Sequence, residues 1–191
     1  MFAIVTDGSI TSFPNGNRGI QIGDIKYPAA IYTIWSEAER NAIGIYTVEI
    51  DNTNKKNGNY YNNTNPTYTY DADAGTVTAT YKSATARNMD DTTSGDTKVE
   101  GLKTMKKNLI NDQCGVILKS SDWRVIKEQE TGNAMDSDWK TWRAAVRTKC
   151  NSMQTQITNA ANIDALEALY TYTKQDNGSM TRPLGKFPEK E

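Results

Sequence analysis

A chain of 191 residues with 37% apolar residues and a mean hydropathy of −0.70 has room for one large domain or two small ones, each with a modest core. Its 22 basic and 23 acidic residues are spread along the chain and leave a net charge of −1, so no basic stripe tracks a phosphate backbone and nucleic acid is not an expected partner. Histidine is absent, which excludes histidine triads, imidazole proton relays and histidine metal sites.

The opening, Met1-Phe2-Ala3-Ile4-Val5-Thr6-Asp7-Gly8, meets an acid and a glycine too early for a signal peptide or membrane span. Phe2 to Val5 reads as a strand, Asp7-Gly8 as a hairpin turn and Ile10 to Phe13 as the returning strand. Pro14-Asn15-Gly16-Asn17 breaks the pattern, and Ile20 and Ile22 alternate as a half-buried strand does. Ser36-Glu37-Ala38-Glu39 has the spacing of a capping box, opening a short helix that Gly44 stops. Ile45 to Asp51 alternates as a strand, Asn52 to Asn65 is mostly loop, and Thr67 to Tyr81 around Asp73-Ala74-Gly75 is a hairpin rich in Thr and Tyr.

From Lys98 the period becomes helical. Val99, Leu102, Met105, Leu109, Ile110, Val116 and Ile117 form one stripe, whose last turn Gly115 weakens, with Lys103, Lys106 and Lys107 on the wet side. Asp122 is placed to cap a helix bearing Trp123 and Ile126 that ends at Thr131-Gly132-Asn133. A longer helix from Ser137 or Asp138 carries Trp139, Trp142, Val146, Cys150, Met153 and Ile157 at spacings of three and four. Asn162 caps a final helix with Ile163, Leu166, Leu169 and Tyr170.

The expected fold class is therefore α+β. A small N-terminal, mostly antiparallel β unit with one short helix occupies residues 1–87, and a polar linker occupies 88–97. A C-terminal helical bundle of three to four helices fills 98–173, and an extended C-terminal arm runs over 174–191.

No constellation for catalysis or metal binding emerges. Asp136 and Asp138 sit where a helix start favours acids. Asp71-Ala72-Asp73 opens like a calcium loop but has Lys82 where a bidentate acid is required. Cys114 and Cys150, the only cysteines, have no metal-ligand spacing, and a disulfide between them has no support in the sequence. No cofactor is expected and no residue is nominated as catalytic. Trp139 and Trp142 share a helix face that Val146 continues. Two readings of them stand side by side: a core shared with Trp123 and Ile126, or a partly exposed patch that anchors a partner. Arg143 and Arg147, four apart on an adjoining face, would suit a rim contact with carboxylates. The candidate partner-binding residues are thus Trp139, Trp142, Arg143 and Arg147.

Leu118 to Gly132, with its Asp122-Trp123 pair and Glu130-Thr131-Gly132 ending, resembles a motif of bacteriophage tail-fibre assembly and tail assembly chaperone-like proteins. Trp142-Arg143-Ala144-Ala145-Val146-Arg147 matches the aromatic and paired arginines that follow it, and Asn162 to Tyr170 is similar to such proteins as well. The chain departs from the pattern at Met135-Asp136, where a proline is usual, and in its additional Trp139. Tyr27-Pro28 with Ser36 to Arg40 and Ile43 to Ile45 is similar to the openings of the same proteins. The resemblance implies a non-enzymatic virion component of the tail, tail fibre or baseplate, made in the host cytoplasm. Its partners would be other tail, fibre or baseplate proteins, self-association is compatible, and no membrane is involved. The alternative it implies is an assembly chaperone absent from the finished particle.

Overall fold

The computed structural model describes residues 1–190, a mixed α+β chain dividing into two compact units, Met1–Thr85 and Ala86–Glu191. In the first unit, β1 (Phe2–Thr6) turns through Asp7 and Gly8 into β2 (Ser9–Ser12). Both turn residues have positive φ, the geometry that matches a hairpin's right-handed twist. A bulge between Ile4 and Val5 shifts the register of the pair. A small hairpin follows, β3 (Ile20–Ile22) with β4 (Ile25–Tyr27), then one helical turn, α1 (Ile31–Ile34). Neither β4 nor α1 is foreseen from the sequence, each being too short for a period to register.

The capping box forms at α2 (Glu37–Ala42): the Glu39 amide donates to the Ser36 hydroxyl while the Glu39 carboxylate accepts from the Ser36 amide at 2.8 Å. Gly44, at φ +80°, then lets the chain pass so close to β1 that a Cβ there would lie 2.6 Å from the Val5 carbonyl oxygen. This leads into β5 (Ile45–Asp51), the short β6 (Tyr61–Asn62), and the hairpin of β7 (Thr67–Asp71) and β8 (Thr76–Thr80). The Asp71 carboxylate accepts from the amides of Asp73 and Ala74, so the calcium-like segment serves as a turn.

The main sheet has the order β2-β1-β5-β8-β7. Every pairing is antiparallel except β5 with β8, which run parallel with Val48 opposite Val77. One face gathers Ala3, Val48, Val77 and Ala79 with Tyr46, Tyr68 and Tyr70 packed around them. The other face packs Ile45 against Ile31 and Tyr32, flanked by Phe2, Ile20, Trp35 and Ile43. The sheet curls: β2 and β7 approach each other, and Phe13 just beyond β2 lies 4.4 Å from the Tyr68 ring. A short strand, β9 (Thr85–Ala86), marks the passage between units.

In the second unit, the segment expected to be a linker is folded. β10 (Thr92–Ser94) and β11 (Thr97–Val99) form a hairpin over Gly95, and the residues before it cap α3 (Leu102–Lys119). The amides of Leu102 and Lys103 donate to the carbonyls of Asn88 and Met89, and the Gly101 amide donates to Asp91. The Leu102 and Lys103 donors are thus satisfied by backbone, which leaves no side-chain signature to read, and the Gly101 amide by a carboxylate ten residues back.

Next come α4 (Asp122–Thr131), closed by Gly132 in the left-handed conformation, and the long α5 (Ser137–Asn159). Helix α6 (Ile163–Ala168) is capped by Asn162, whose side chain accepts from the Ala165 amide. Helices α3 and α5 run antiparallel, Leu118 lying beside Arg143 and Asn111 beside Gln154. Between them are buried Leu102, Ile110 and Cys114 of one and Val146, Cys150, Met153 and Ile157 of the other. The stripe expected along α3 splits, because Met105, Leu109 and Val116 face outward.

The expected extended arm is also folded. β12 (Thr173–Lys174) pairs with β13 (Met180–Thr181), and beyond them Leu184 is fully buried, its amide donating to the Leu169 carbonyl. One apolar anchor among polar residues produces no periodicity, hence the misreading. No helix is long and apolar enough to cross a membrane among the described residues.

Cys114 and Cys150 are both buried, and burial first, then hydrogen bonding to Cys150, pushes the Cys114 thiol up to about 11. Because only the thiolate reacts, Cys114 should resist Ellman's reagent at about pH 8 until denaturant is added. Rapid native-state labelling of Cys114, located by peptide mapping, would contradict this packing.

Candidate functional site

The tryptophans meet at the start of α4 and the start of α5. Trp139 and Trp142, one turn apart, are half-buried and make an edge-to-face pair with ring centroids 5.5 Å apart. The Trp142 indole N–H donates to the Pro188 carbonyl at 3.1 Å, which ties the C-terminal segment to this helix. Trp123 is not in the core: it is 52% exposed, and Val125 and Ile126 beside it are exposed too. Helix α4 buries none of its residues, so its apolar side chains, taken from the sequence as core, look outward.

Between these helices stands Arg124, which the sequence offers no reason to single out. Its guanidinium carbon lies 4.5 Å from the Trp123 ring centroid and 4.3 Å from that of Trp139, so the two indoles flank the cation. The Lys190 ammonium lies 5.4 Å over Trp139. A hollow of about 90 Å³ adjoins Arg124, lined also by Trp123, Lys127 and the loop from Asn133 to Asp136. The only signals for this arrangement in the sequence are the Trp-Arg adjacency and the additional Trp139.

Arg143 has a different role from the rim contact expected of it. It is 5% exposed, and one guanidinium nitrogen donates to the Leu118 carbonyl at 2.9 Å and to the Ser121 hydroxyl. The other nitrogen pairs with the Asp122 carboxylate at 2.7 Å. Arg143 thus clasps the corner where α3 passes into α4, satisfying a helix-end carbonyl and the fully buried Ser121. It joins the α3–α4 corner to α5, so its role there is architectural. Arg143→Ala should lower stability by about 2 kcal/mol by removing a buried side chain and its charge-assisted bonds to Ser121 and Asp122, measurable by urea titration. An unchanged midpoint would rule the clasp out. Arg147 remains exposed, and its charge acts on Cys114 rather than joining the tryptophans. Of the four nominated residues, the structure brings Trp139 and Trp142 together and sets Arg143 and Arg147 apart from them in role.

Other hollows offer less chemistry. One of about 460 Å³ follows the loop from Phe13 to Ile20 and carries no carboxylate. One of about 850 Å³ between α5 and the C-terminal segment is lined by Lys149, Lys186 and Phe187, and its Glu189 pairs with Lys186. A third, of about 400 Å³, has Asp164 and Glu167 on α6, one helical turn apart, with Asp164 exposed. Among the described residues no group of three or more His, Cys, Asp or Glu side chains gathers as a metal site. No family model, curated protein or solved structure matches the chain.

Proposed function

We propose that the chain is a non-enzymatic interaction protein of a bacteriophage tail, associated with the tail fibre or baseplate, and that it binds its neighbours through the α4–α5 surface. On this reading the strand-rich first unit is a compact module, and the helices of the second form a bundle presenting the contact face. The observation that carries the proposal is the outward display of Trp123 and Ile126, 52% and 56% exposed, on a helix within the phage-like segment. Large apolar side chains grouped on one exposed helix are characteristic of protein contacts, and tryptophan and arginine are the residues most enriched at their energetic centres. The resemblance of Leu118 to Gly132 and of Trp142 to Arg147 supplies the tail context.

Mass spectrometry of gradient-purified particles from the source phage is the test. A fixed number of copies per virion is expected, whereas absence from clean particles would defeat the virion reading. In that event, co-expression with the fibre protein separates the chaperone role, which requires a gain in soluble fibre, from no tail role at all.

A further inference from the structure

We propose that Arg124 is a receptor for a carboxylate, and that the surface around it docks an acidic side chain of a partner protein next to an apolar one. The inference deepens the interaction reading above and rests on it only in taking the occupant to be a protein.

Three observations converge on Arg124. First, Trp123 and Trp139 flank its guanidinium, holding the plane in place and leaving its N–H edges as the route for recognition. Second, those edges are unspent. Arg124 makes no side-chain hydrogen bond among the described residues, its Nε is buried without a partner, and the nearest Asp136 oxygen is 3.7 Å away, beyond hydrogen-bond range. Arg143 on α5, by contrast, donates to three acceptors. Third, the space beside Arg124 suits a small anion. Its 90 Å³ equals about three waters at roughly 30 Å³ each, and Lys127 adds a second positive charge to its wall.

The Arg124 side chain is 28% exposed, so a carboxylate arrives on its terminal N–H edge, where the planar fork matches it in two parallel bonds. Exposed Trp123 and Ile126 alongside provide the apolar contact. The charge and the shape together specify an Asp or Glu side chain flanked by an aliphatic residue. Asp136, 77% exposed, is the internal competitor that such a ligand meets.

The test titrates acetyl-Leu-Glu-Leu-amide into the full chain and follows the arginine Nε–H resonances by NMR, with acetyl-Leu-Gln-Leu-amide and inorganic phosphate as comparison probes. The expected result is a saturable shift of the Arg124 signal by the Glu peptide, with at least tenfold weaker effect from the Gln peptide. Arg124→Lys keeps the charge but loses the fork, and should weaken Glu-peptide binding at least tenfold while leaving the near-UV spectrum intact. Asp136→Asn removes the competitor and should tighten binding severalfold, which keeps the proposal testable if Arg124→Lys folds poorly. Equal binding of the Gln peptide, tighter binding of phosphate, or an unmoved Nε–H signal would each overturn it. None of these outcomes depends on virion content, so the tail reading and the carboxylate site fail separately.

Discussion

Gly101→Ala is expected to lower the stability of the second unit by about 3 kcal/mol, at the severe end of overpacking. The reason is steric and not conformational. An added Cβ would lie 2.3 Å from the Asp90 carbonyl carbon, 2.4 Å from its oxygen and 2.6 Å from the Met89 oxygen. These are backbone atoms held in place because Asn88 and Met89 accept from the first amides of α3. Relieving the clash therefore means breaking the helix cap. Urea unfolding followed by circular dichroism is the measurement, and Gly115→Ala, at an open position in the same helix, is the control. If both variants behave alike, the close approach at Gly101 is wrong.

The same cap gives a pH signature. The Lys98 ammonium and then the Gly101 amide hold the Asp91 carboxyl well below the usual carboxylate range. A depressed folded value means that this contribution is present above the unfolded value of about 3.9 and is lost as pH falls toward the folded one.

Leu184→Ala is expected to cost about 4 kcal/mol, the range for emptying a fully buried leucine site. Leu184 has no exposed surface, and its neighbour Gly185 lies against the Lys149 side chain on α5. Removing residues 174–191 should do at least as much damage, because the Trp142–Pro188 hydrogen bond goes with the leucine. A truncated chain retaining its thermal midpoint would restore the picture of a detachable arm. Tyr172→Ala, at a half-exposed position, is the matched control and should shift the midpoint far less.

These two sites mark where sequence reasoning stops. Local signals read well: the Ser36–Glu39 box, the Asp7-Gly8 turn, the Gly132 stop and the Val146–Cys150–Met153–Ile157 stripe all depend on neighbours within a few residues. What stayed hidden depends on distant partners. The Asn88 and Met89 carbonyls cap a helix that begins after an intervening hairpin, and Leu184 packs without any repeating pattern around it. The parallel pairing of β5 with β8 joins strands separated by an entire hairpin arm. At the candidate site, Trp139 and Trp142 were legible as a face. Arg143, expected at a rim, is instead buried against Asp122, and Arg124, which nothing in the sequence singled out, is the arginine left partly exposed, because burial is set by distant partners and not by residue type.

The curl of the main sheet carries a consequence for how the first unit can meet other chains. Its outer strands, β2 and β7, come within 8 Å of each other at their Cα atoms. An inserted strand needs about 4.8 Å on either side, more than this gap holds. Where they converge, each outer strand shields the other from recruitment into a foreign ladder. Strand exchange and edge-to-edge aggregation are thereby suppressed along that seam.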